Sequence, residues 1–414
     1  MNFGVSPKEL LIIVVAFIQL IMPRIGFALG ELPKDDADAQ RYTYDYLFMI
    51  DALIRHEKYK RAKIELDALL ERVKQNPEER ALAQQAYGYL SIGVNDYPAA
   101  IQHFFAAIDS GALPDNVVHS LHYTLAQLLY QEERFEQGLQ QLQAWFIQET
   151  QPAVESRVLL AQLYYALQQW KKAVTQLKFA IAEANRPHES WYQMLVGIYL
   201  ENEQFKQTIP ILQTMLKLFP DRPLYWQQLS GVLLHLGRQQ QAVAVLSLAA
   251  EQGFLDEAGL LRLAKLSMQQ NTPLDAAELL VTKLDSGDIQ ATSDNLNLLV
   301  DAWLLARDQK RALMALERLA KIDKSGAPQL RAGRLLIEKE QWLSALSYLK
   351  QGIKLSTKPT FDDWLLLGSA YYHLENRDKA ISAFEMAQGL AESDKQRKLT
   401  NNWIKYLRSL QEEN

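Results

Sequence analysis

The chain has no cysteine, and this absence excludes several kinds of chemistry at once. Without thiols there are no disulfides, no thiolate metal sites, no cysteine nucleophile and no lipid attachment to an N-terminal cysteine. Basic charge is also scarce, because 44 Lys and Arg stand against 49 Asp and Glu and give a net charge of −5. Such a balance supplies no general positive field for nucleic acid or anionic lipid, so no nucleic-acid partner is expected.

Recognisable catalytic motifs are also lacking. The sequence contains no GxGxxG, P-loop, GxSxG or HExxH pattern. Ser347 and Lys350 form S-x-x-K, and Ser293–Asn295 spell SDN, which together resemble serine acyl-enzymes; however, their order is reversed and there is no KTG. We interpret Ser293 instead as a helix N-cap. The sequence therefore predicts a protein that is not an enzyme, with no catalytic residues, no cofactor and no small-molecule substrate.

Metal-ligating residues do not cluster. His119 and His122 are three residues apart and would share a helical face, so they could share a metal ion. Nothing nearby in the sequence completes a ligand set, and we interpret them as a surface pair near a helix start. The acid pair Asp362 and Asp363 is interpreted as part of a helix start rather than as a general acid and base. No metal site is predicted.

The first thirty residues differ from the rest of the chain. Lys8 precedes the apolar run LLIIVVAFIQLIM, and the small residues Ala28 and Gly30 precede Glu31. This is the layout of a secretory signal peptide. Thirteen apolar residues rise only about 20 Å as a helix, short of a hydrocarbon core of about 30 Å. We therefore predict a cleaved signal peptide over 1–30, with an uncleaved anchor near the inner membrane as the alternative, and a polar linker over 31–42. A secreted chain without cysteine suits the bacterial periplasm.

The stretch WLLLGSAYYHLENRDKAISAFEMA holds two helical patterns joined by a short polar turn. Trp364, Leu367, Gly368 and Tyr371 share one face of the first predicted helix. The same spacing returns along the chain, and the position of Trp364 can be placed ten times at intervals of 33 to 38 residues. These anchor positions are Tyr46, Gln84, His122, Arg157, Tyr192, Trp226, Leu260, Leu296, Gln329 and Trp364.

A period near 34 residues with this set of anchors is typical of tetratricopeptide repeats, which the chain resembles over about 350 residues. The resemblance implies an all-α fold, a right-handed α-solenoid of about ten helical hairpins over 43–391. Each hairpin leaves an apolar face that only a stacked neighbour can bury. Residues 392–414 carry a single helical pattern with Leu399, Trp403, Tyr406, Leu407 and Leu410. We predict that this is a C-terminal capping helix that covers the last apolar face.

Repeats of this kind present a concave groove lined by the first helix of each hairpin. Side chains one, five and eight or nine residues after each anchor are predicted to face that groove. In the central hairpins they are uncharged and rich in Tyr and Gln, which offer contact area and bonds to a peptide backbone. The predicted partner-binding residues are Tyr123, Gln127, Tyr130, Gln162, Tyr165, Gln193, Gln227, His235, Lys265 and Arg334.

Later in the chain the predicted groove becomes charged. Arg262 and Lys265 are followed by Asp294 and Asp301, and then by Arg331 and Arg334. Bands of alternating sign could set the register of a bound segment. Repeats that clamp a C-terminal carboxylate place Lys and Asn one and five residues after the anchor, and that pair never occurs here. A receptor for chaperone tails is therefore not expected.

Beyond the repeats, the chain resembles periplasmic tetratricopeptide proteins associated with TonB energy-transduction systems of gammaproteobacteria. The residues that carry this resemblance are ESWYQMLVGIYLENEQF, PLYWQQLSGVLLHLG, EQGFL, LNLLVDAWLLARDQKRAL and NNWIKYLRSL. The resemblance implies a scaffold that binds an envelope or TonB-system protein during uptake across the outer membrane. Two alternatives stay open: an adaptor for envelope assembly or polysaccharide export, and an enzyme with an unrecognised site.

Overall fold

A computed structural model describes residues 37–412 of the chain, and their side chains from residue 42 to residue 410. The predicted signal peptide over 1–30 lies outside the described residues. Of the predicted linker over 31–42, the last six residues are helical, because the first helix begins at Ala37. The stretch ADAQR is rich in good helix formers, which explains why the helix starts earlier than its polar composition suggested. None of the described helices is long and apolar enough to cross a membrane.

The chain divides into two compact units, of which the first ends at Pro220 and the second begins at Asp221. The sequence predicted one uninterrupted array over 43–391. The division falls in a short loop that contains Pro220, a residue with no backbone N–H to donate. Each unit is described by itself below.

The first unit is all helical over its described residues. Its helices pair in chain order, each odd-numbered helix packing against the even-numbered helix that follows. They are α1 Ala37–Arg55, α2 Tyr59–Arg72, α3 Pro77–Gly93, α4 Tyr97–Asp109, α5 Asp115–Gln131, α6 Phe135–Gln148, α7 Val154–Ala166, α8 Trp170–Glu183, α9 Glu189–Glu201 and α10 Phe205–Leu218. These are five helical hairpins.

The second unit repeats the arrangement with five hairpins and one additional helix over its described residues. Its helices are α11 Pro223–His235, α12 Gln239–Glu251, α13 Glu257–Gln269, α14 Pro273–Ser286, α15 Ser293–Leu305, α16 Gln309–Ala320, α17 Ala327–Ile337, α18 Trp342–Leu355, α19 Phe361–His373, α20 Arg377–Gly389 and α21 Asp394–Glu412. The predicted all-α fold class is confirmed over residues 37–412, which form ten hairpins followed by a C-terminal helix.

Every hairpin turn has the same backbone conformation. The residue eleven positions after each anchor has a positive φ, and the following N–H donates to the carbonyl five residues earlier at 2.7 to 3.0 Å. This is the Schellman motif, which satisfies carbonyls at the end of the first helix. The positive-φ residues are Glu57, Asn95, Glu133, Gln168, Glu203, Gly237, Asn271, Arg307, Glu340 and Glu375. Only one of the ten is glycine, so nine turns hold an L side chain at φ of 54 to 62°.

In two hairpins a glycine of the first helix faces a phenylalanine of the second helix. Gly88 and Gly368 lie four residues after their anchors, and a Cβ added there would lie 2.3 Å from the ring of Phe104 and 2.6 Å from that of Phe384. The equivalents of these phenylalanines in the other eight hairpins are buried leucines: Leu66, Leu142, Leu177, Leu212, Leu246, Leu280, Leu316 and Leu349. The larger ring is therefore accommodated where the opposite helix offers glycine.

The closing helix α21 covers the last hairpin, as predicted, but with a different set of residues. Thr400, Ile404 and Leu407 are buried, and the Trp403 ring stacks on Phe384 with centroids 5.5 Å apart. Leu399 and Tyr406, which the sequence placed on the apolar face, are 41% and 46% exposed. The buried stripe thus runs through Thr400, Ile404 and Leu407 at the helical spacing of three to four residues.

Helix starts correct one prediction and support another. The N-cap of α15 is Thr292, whose hydroxyl accepts from the Asn295 N–H at 3.2 Å, so Ser293 is the first helical residue and not the cap. At α19, Asp363 forms a capping box with Thr360, as its interpretation as part of a helix start required.

Candidate partner-binding faces

All ten residues predicted to bind a partner lie on the first helices of their hairpins. Five residues on α5, α7 and α9 form what we call the first-unit face: Tyr123, Gln127, Gln162, Tyr165 and Gln193. Four residues on α11, α13 and α17 form the second-unit face: Gln227, His235, Lys265 and Arg334. Tyr130 is treated separately because of its burial. The two faces belong to different units and are described one at a time.

Tyr165 is held in place by contacts from two helices. Its hydroxyl donates to Glu201 Oε1 at 3.0 Å, and its ring meets Trp170 edge to face with centroids 5.2 Å apart. Burial raises the pKa of the Tyr165 hydroxyl, and the negative charge of Glu201 raises it further. The phenol is therefore neutral at physiological pH and acts as a hydrogen-bond donor.

Tyr123 is half-buried against the second helix of its own hairpin. Its ring lies 4.9 Å from that of Trp145, measured between centroids, and burial, followed by the charge of Glu155, raises the pKa of its hydroxyl to about 12. His119 stacks on the same tryptophan, with centroids 5.5 Å apart. These rings form a rigid aromatic surface at the N-terminal end of the first-unit face.

Tyr130 lies in the hairpin core. Only 7% of its surface is exposed, its ring packs 5.6 Å from that of Phe135, and burial raises the pKa of its hydroxyl to about 12. Phe135 is the first residue of α6, so a tyrosine eight residues after the anchor comes to lie beside the turn. The side chain therefore stabilises the hairpin, and its truncation would not isolate partner binding.

Amide side chains occupy the rest of the first-unit face. Gln127, Gln162 and Gln193 are half-buried on successive first helices. An amide both donates and accepts, which suits an extended peptide backbone.

Sequence reasoning missed two carboxylates beside this face. Glu155 raises the pKa of Tyr123, and Glu201 accepts the hydrogen bond of Tyr165, so the surroundings are acidic rather than uncharged. Glu201 lies nine residues after the anchor Tyr192. The spacing rule that selected His235 would also have found this residue.

Two arginines of the predicted charge bands lie near carboxylates of the second unit. Arg331 on α17 pairs with Asp301 on α15 at 2.5 Å, and Arg334 lies 3.9 Å from Asp363 on α19. Each pair joins the first helices of adjacent hairpins. One pair therefore joins two bands of opposite sign, whereas Arg334 lies near a carboxylate outside the bands and is only partly available to a partner. Lys265 is exposed.

The histidine pair has separate partners. His119 Nε2 lies 3.3 Å from Glu149 Oε2, whereas His122 Nδ1 lies 2.6 Å from Gln141 Oε1. Among the described residues, no group of three or more His, Asp or Glu is arranged to hold a metal ion. Both histidines are half-buried and have different partners, so they are less exposed than the sequence suggested.

Comparison with known proteins supports the repeat assignment. Residues 330–395, from α17 to the start of α21, match the family described as tetratricopeptide repeat. No curated protein matches the chain. Together with the recurring hairpins, this match supports a tetratricopeptide-type fold for the described residues.

Several solved structures are similar at low identity. Naa15/Naa10 bound to HypK-THB is 14% identical, with 85% of this chain and 69% of that chain covered and a TM-score of 0.37. A tetratricopeptide repeat protein from Parabacteroides merdae is 11% identical, with 83% and 98% covered and a TM-score of 0.33. YrrB, a tetratricopeptide repeat protein with an unusual peptide-binding site, is 15% identical, with 46% and 97% covered and a TM-score of 0.35. These TM-scores lie below 0.5, and the similarities carry no conclusion about partners.

Proposed function

We propose that the protein is a non-enzymatic periplasmic scaffold that binds an extended segment of an envelope protein on its first-unit face. The observation that carries this proposal is the row of Gln127, Gln162 and Gln193 on successive first helices, between tyrosines held rigidly at Tyr123 and Tyr165. Ordered tyrosines supply contact area at low entropic cost, and the amides can bond a peptide backbone. Glu155 and Glu201 favour a segment that carries basic residues.

The partner that we propose is a component of a TonB-dependent outer-membrane transport system. Support for this comes from the sequence resemblance described above, and periplasmic location follows from the predicted signal peptide. Intact mass of the protein recovered from the periplasm tests the second point. A mass that lacks residues 1–30 is expected, and a full-length mass in the inner-membrane fraction would favour an uncleaved anchor instead.

A photo-crosslinking amino acid placed at Tyr165 tests the partner in living cells. We expect a crosslink to a TonB-system component from this position and none from Ile147, which is 85% exposed on the second helix α6. A crosslink to polysaccharide-export components instead would favour the adaptor alternative.

Two matched variants test the face itself. Gln127→Ala with Gln162→Ala should weaken capture of the crosslinked partner while leaving the thermal transition unchanged. The control, Gln143→Ala with Gln213→Ala, removes exposed amides from the second helices α6 and α10. Equal capture by both variants would contradict the assignment of the partner to the first helices.

A further inference from the structure

A second candidate binding site lies in the first unit, away from the first-unit face. A cavity of about 610 Å³ lies among α8, α9 and the N-terminal turn of α10. Its apolar side chains include Val174, Ile198 and Tyr199, of which Ile198 and Tyr199 are 1% and 4% exposed. The volume is that of a typical ligand or short-peptide site.

The charge around this cavity is of one sign. Lys171, Lys172 and Lys178 line it, and no Asp or Glu among the described residues does. None of the ion pairs found in the described part of the chain involves these lysines. In a chain of net charge −5, three lysines without a carboxylate form a local positive potential.

Two helix N-termini add to this potential. Gln169 precedes α8 and Gln204 precedes α10, and both residues line the cavity. Neither side chain caps its helix, and neither helix has an acidic residue in its first turn. The positive ends of both helix dipoles are therefore uncompensated by a carboxylate at the cavity.

A cavity of similar size in the second unit shows the opposite arrangement. It measures about 550 Å³, and its lining contains both acids and arginines. Arg318 pairs with Asp285 at 2.6 Å, and Arg311 lies 3.5 Å from Glu278. Its charges are already paired within the chain, whereas those of the first-unit cavity have no carboxylate partner.

From the lysines without a carboxylate partner and the uncompensated helix ends we propose that the first-unit cavity binds an acidic peptide segment. Lys171, Val174 and Lys178 recur at i, i+3 and i+7 and share one face of α8. The two lysines are separated by a rise of about 10 Å. An extended segment of polyproline II type presents every third side chain on one side, at about 9 Å. The site therefore fits carboxylates three residues apart.

Amides beside the lysines suit a peptide rather than a bare anion. Asn202 donates its Nδ2 to the Ile198 carbonyl at 2.8 Å, which leaves its Oδ1 as an acceptor. Gln204 and Gln207 lie on the same wall. A peptide backbone presents N–H donors at several points along its length to such acceptors, which a small anion cannot do.

Fluorescence anisotropy of labelled proline-rich peptides tests the proposal on the full chain. Three probes are needed: one with two glutamates three residues apart, one with the glutamates adjacent, and one with glutamines in their place. The spaced peptide should bind at least tenfold more tightly than the glutamine peptide, with an affinity that falls as salt is added. Equal binding of the spaced and glutamine peptides would overturn the proposal.

Matched charge variants locate the binding. Lys171→Gln with Lys178→Gln should lower the affinity about tenfold, as expected for the loss of two partly exposed ion pairs. The control Lys63→Gln with Lys217→Gln changes the net charge equally at exposed lysines outside the cavity and should bind as the parent does. The same loss in both variants would mean non-specific attraction and contradict the site.

Two further measurements distinguish this cavity from the first-unit face and from a site for small anions. The variant Gln127→Ala with Gln162→Ala should keep full affinity for the acidic peptide, so the outcome is independent of the proposed first-unit face. Isothermal titration with inorganic phosphate should show no saturable binding at the concentrations that saturate with peptide. Saturable phosphate binding, without measurable peptide binding, would assign the cavity to small anions and overturn the peptide proposal.

Discussion

The first-unit and second-unit faces lie on equivalent helices, but they hold their side chains differently. On the first, Tyr165 donates one hydrogen bond to a carboxylate, and the neighbouring side chains are half-buried neutral amides. On the second, Arg334 lies near a carboxylate on a neighbouring first helix, and Arg331 beside it on α17 pairs with another. First helices of the repeat thus carry a neutral tyrosine bonded to a carboxylate in one unit and arginines paired with carboxylates in the other. The repeat determines where a side chain lies, whereas its partners decide whether it is available.

The largest expected effect comes from filling the space between a glycine and the phenylalanine that faces it, which can be done in both units. Gly88→Ala should destabilise the protein by about 1–3 kcal/mol, because the new Cβ meets the Phe104 ring. Adding Phe104→Leu should recover most of the loss. Alanine and leucine already occupy the equivalent positions in the hairpin of α7 and α8, where Ala161 and Leu177 are fully buried. Urea denaturation followed by circular dichroism measures the cycle.

The same cycle at Gly368 and Phe384 extends the test to the second unit. A coupling energy of about 0.5–3 kcal/mol is expected for residues in contact. Additive effects of the two substitutions in either unit would show that the ring and the glycine are not matched. The substitution Ile147→Ala, at a residue 85% exposed, serves as a control and should change stability little.

A smaller effect is expected at the turns. Gly237→Ala should cost about 1 kcal/mol, because an L residue at positive φ is strained. The converse change, Glu133→Gly in the first unit, should gain about 0.5 kcal/mol, because relief of that strain is partly offset by the flexibility of glycine in the unfolded chain. Thermal unfolding compares the two variants. A loss of stability in Glu133→Gly would mean that its side chain makes a contact worth more than the strain.

The hydrogen bond of Tyr165 in the first unit and the ion pair of Arg331 in the second unit should differ in their response to salt. Tyr165→Phe removes the hydrogen bond to Glu201 and should cost about 0.5–1.5 kcal/mol. Arg331→Met breaks an exposed ion pair and should cost no more than about 1 kcal/mol, with the loss shrinking at high salt. Urea denaturation at low and high sodium chloride distinguishes them. An Arg331→Met effect that does not change with salt would contradict the assignment of Asp301 as its electrostatic partner.

The smallest effects concern acid pH, and they should have opposite signs in the two units. Burial raises the pKa of Asp51 in the first unit above its ordinary value of 3.8, so the native state binds a proton more readily than the unfolded state. Its contribution to stability therefore falls as pH rises from the ordinary value through the raised one. Hydrogen bonds from Lys283 and Ser286 lower the pKa of Asp288 in the second unit. The contribution of Asp288 to stability is therefore present above its ordinary pKa and is lost as the pH falls through the lowered pKa.

Asp51→Asn and Asp288→Asn should each remove the pH dependence of stability that the replaced carboxylate contributes. Urea titrations between pH 3 and pH 7 at constant ionic strength measure the two slopes. If both substitutions change the slope of stability against pH in the same direction, the pKa values of Asp51 and Asp288 are not shifted in opposite directions.

The fold was largely predictable from the sequence because each hairpin repeats one apolar spacing. The anchors, the turns and the closing helix follow from local pattern and capping chemistry. The division at Pro220 was not predictable, because every hairpin carries the same local signals on either side of it. Leu399 was misplaced because α21 has two adjacent apolar stripes, and only packing selects the one through Ile404 and Leu407.

The helices that carry the candidate residues were predictable, whereas the contacts of their side chains were not. Spacing placed all ten residues on first helices. It could not show that Tyr130 packs beside Phe135 or that Arg334 lies near Asp363. Both contacts join different helices, and the spacing rule considers only positions along one helix. The cavity among α8, α9 and α10 was missed because its lysines lie on a second helix, which the groove rule leaves out.

The nearly invariant turn has a consequence for how such a chain can change. Nine of its ten positive-φ sites accept Glu, Gln, Asn or Arg, so the bend does not depend on a particular side chain. Charge at these corners can therefore vary from hairpin to hairpin while the bend between paired helices stays the same. In each unit these corners are exposed, so their chemistry can drift or be engineered without altering the interior.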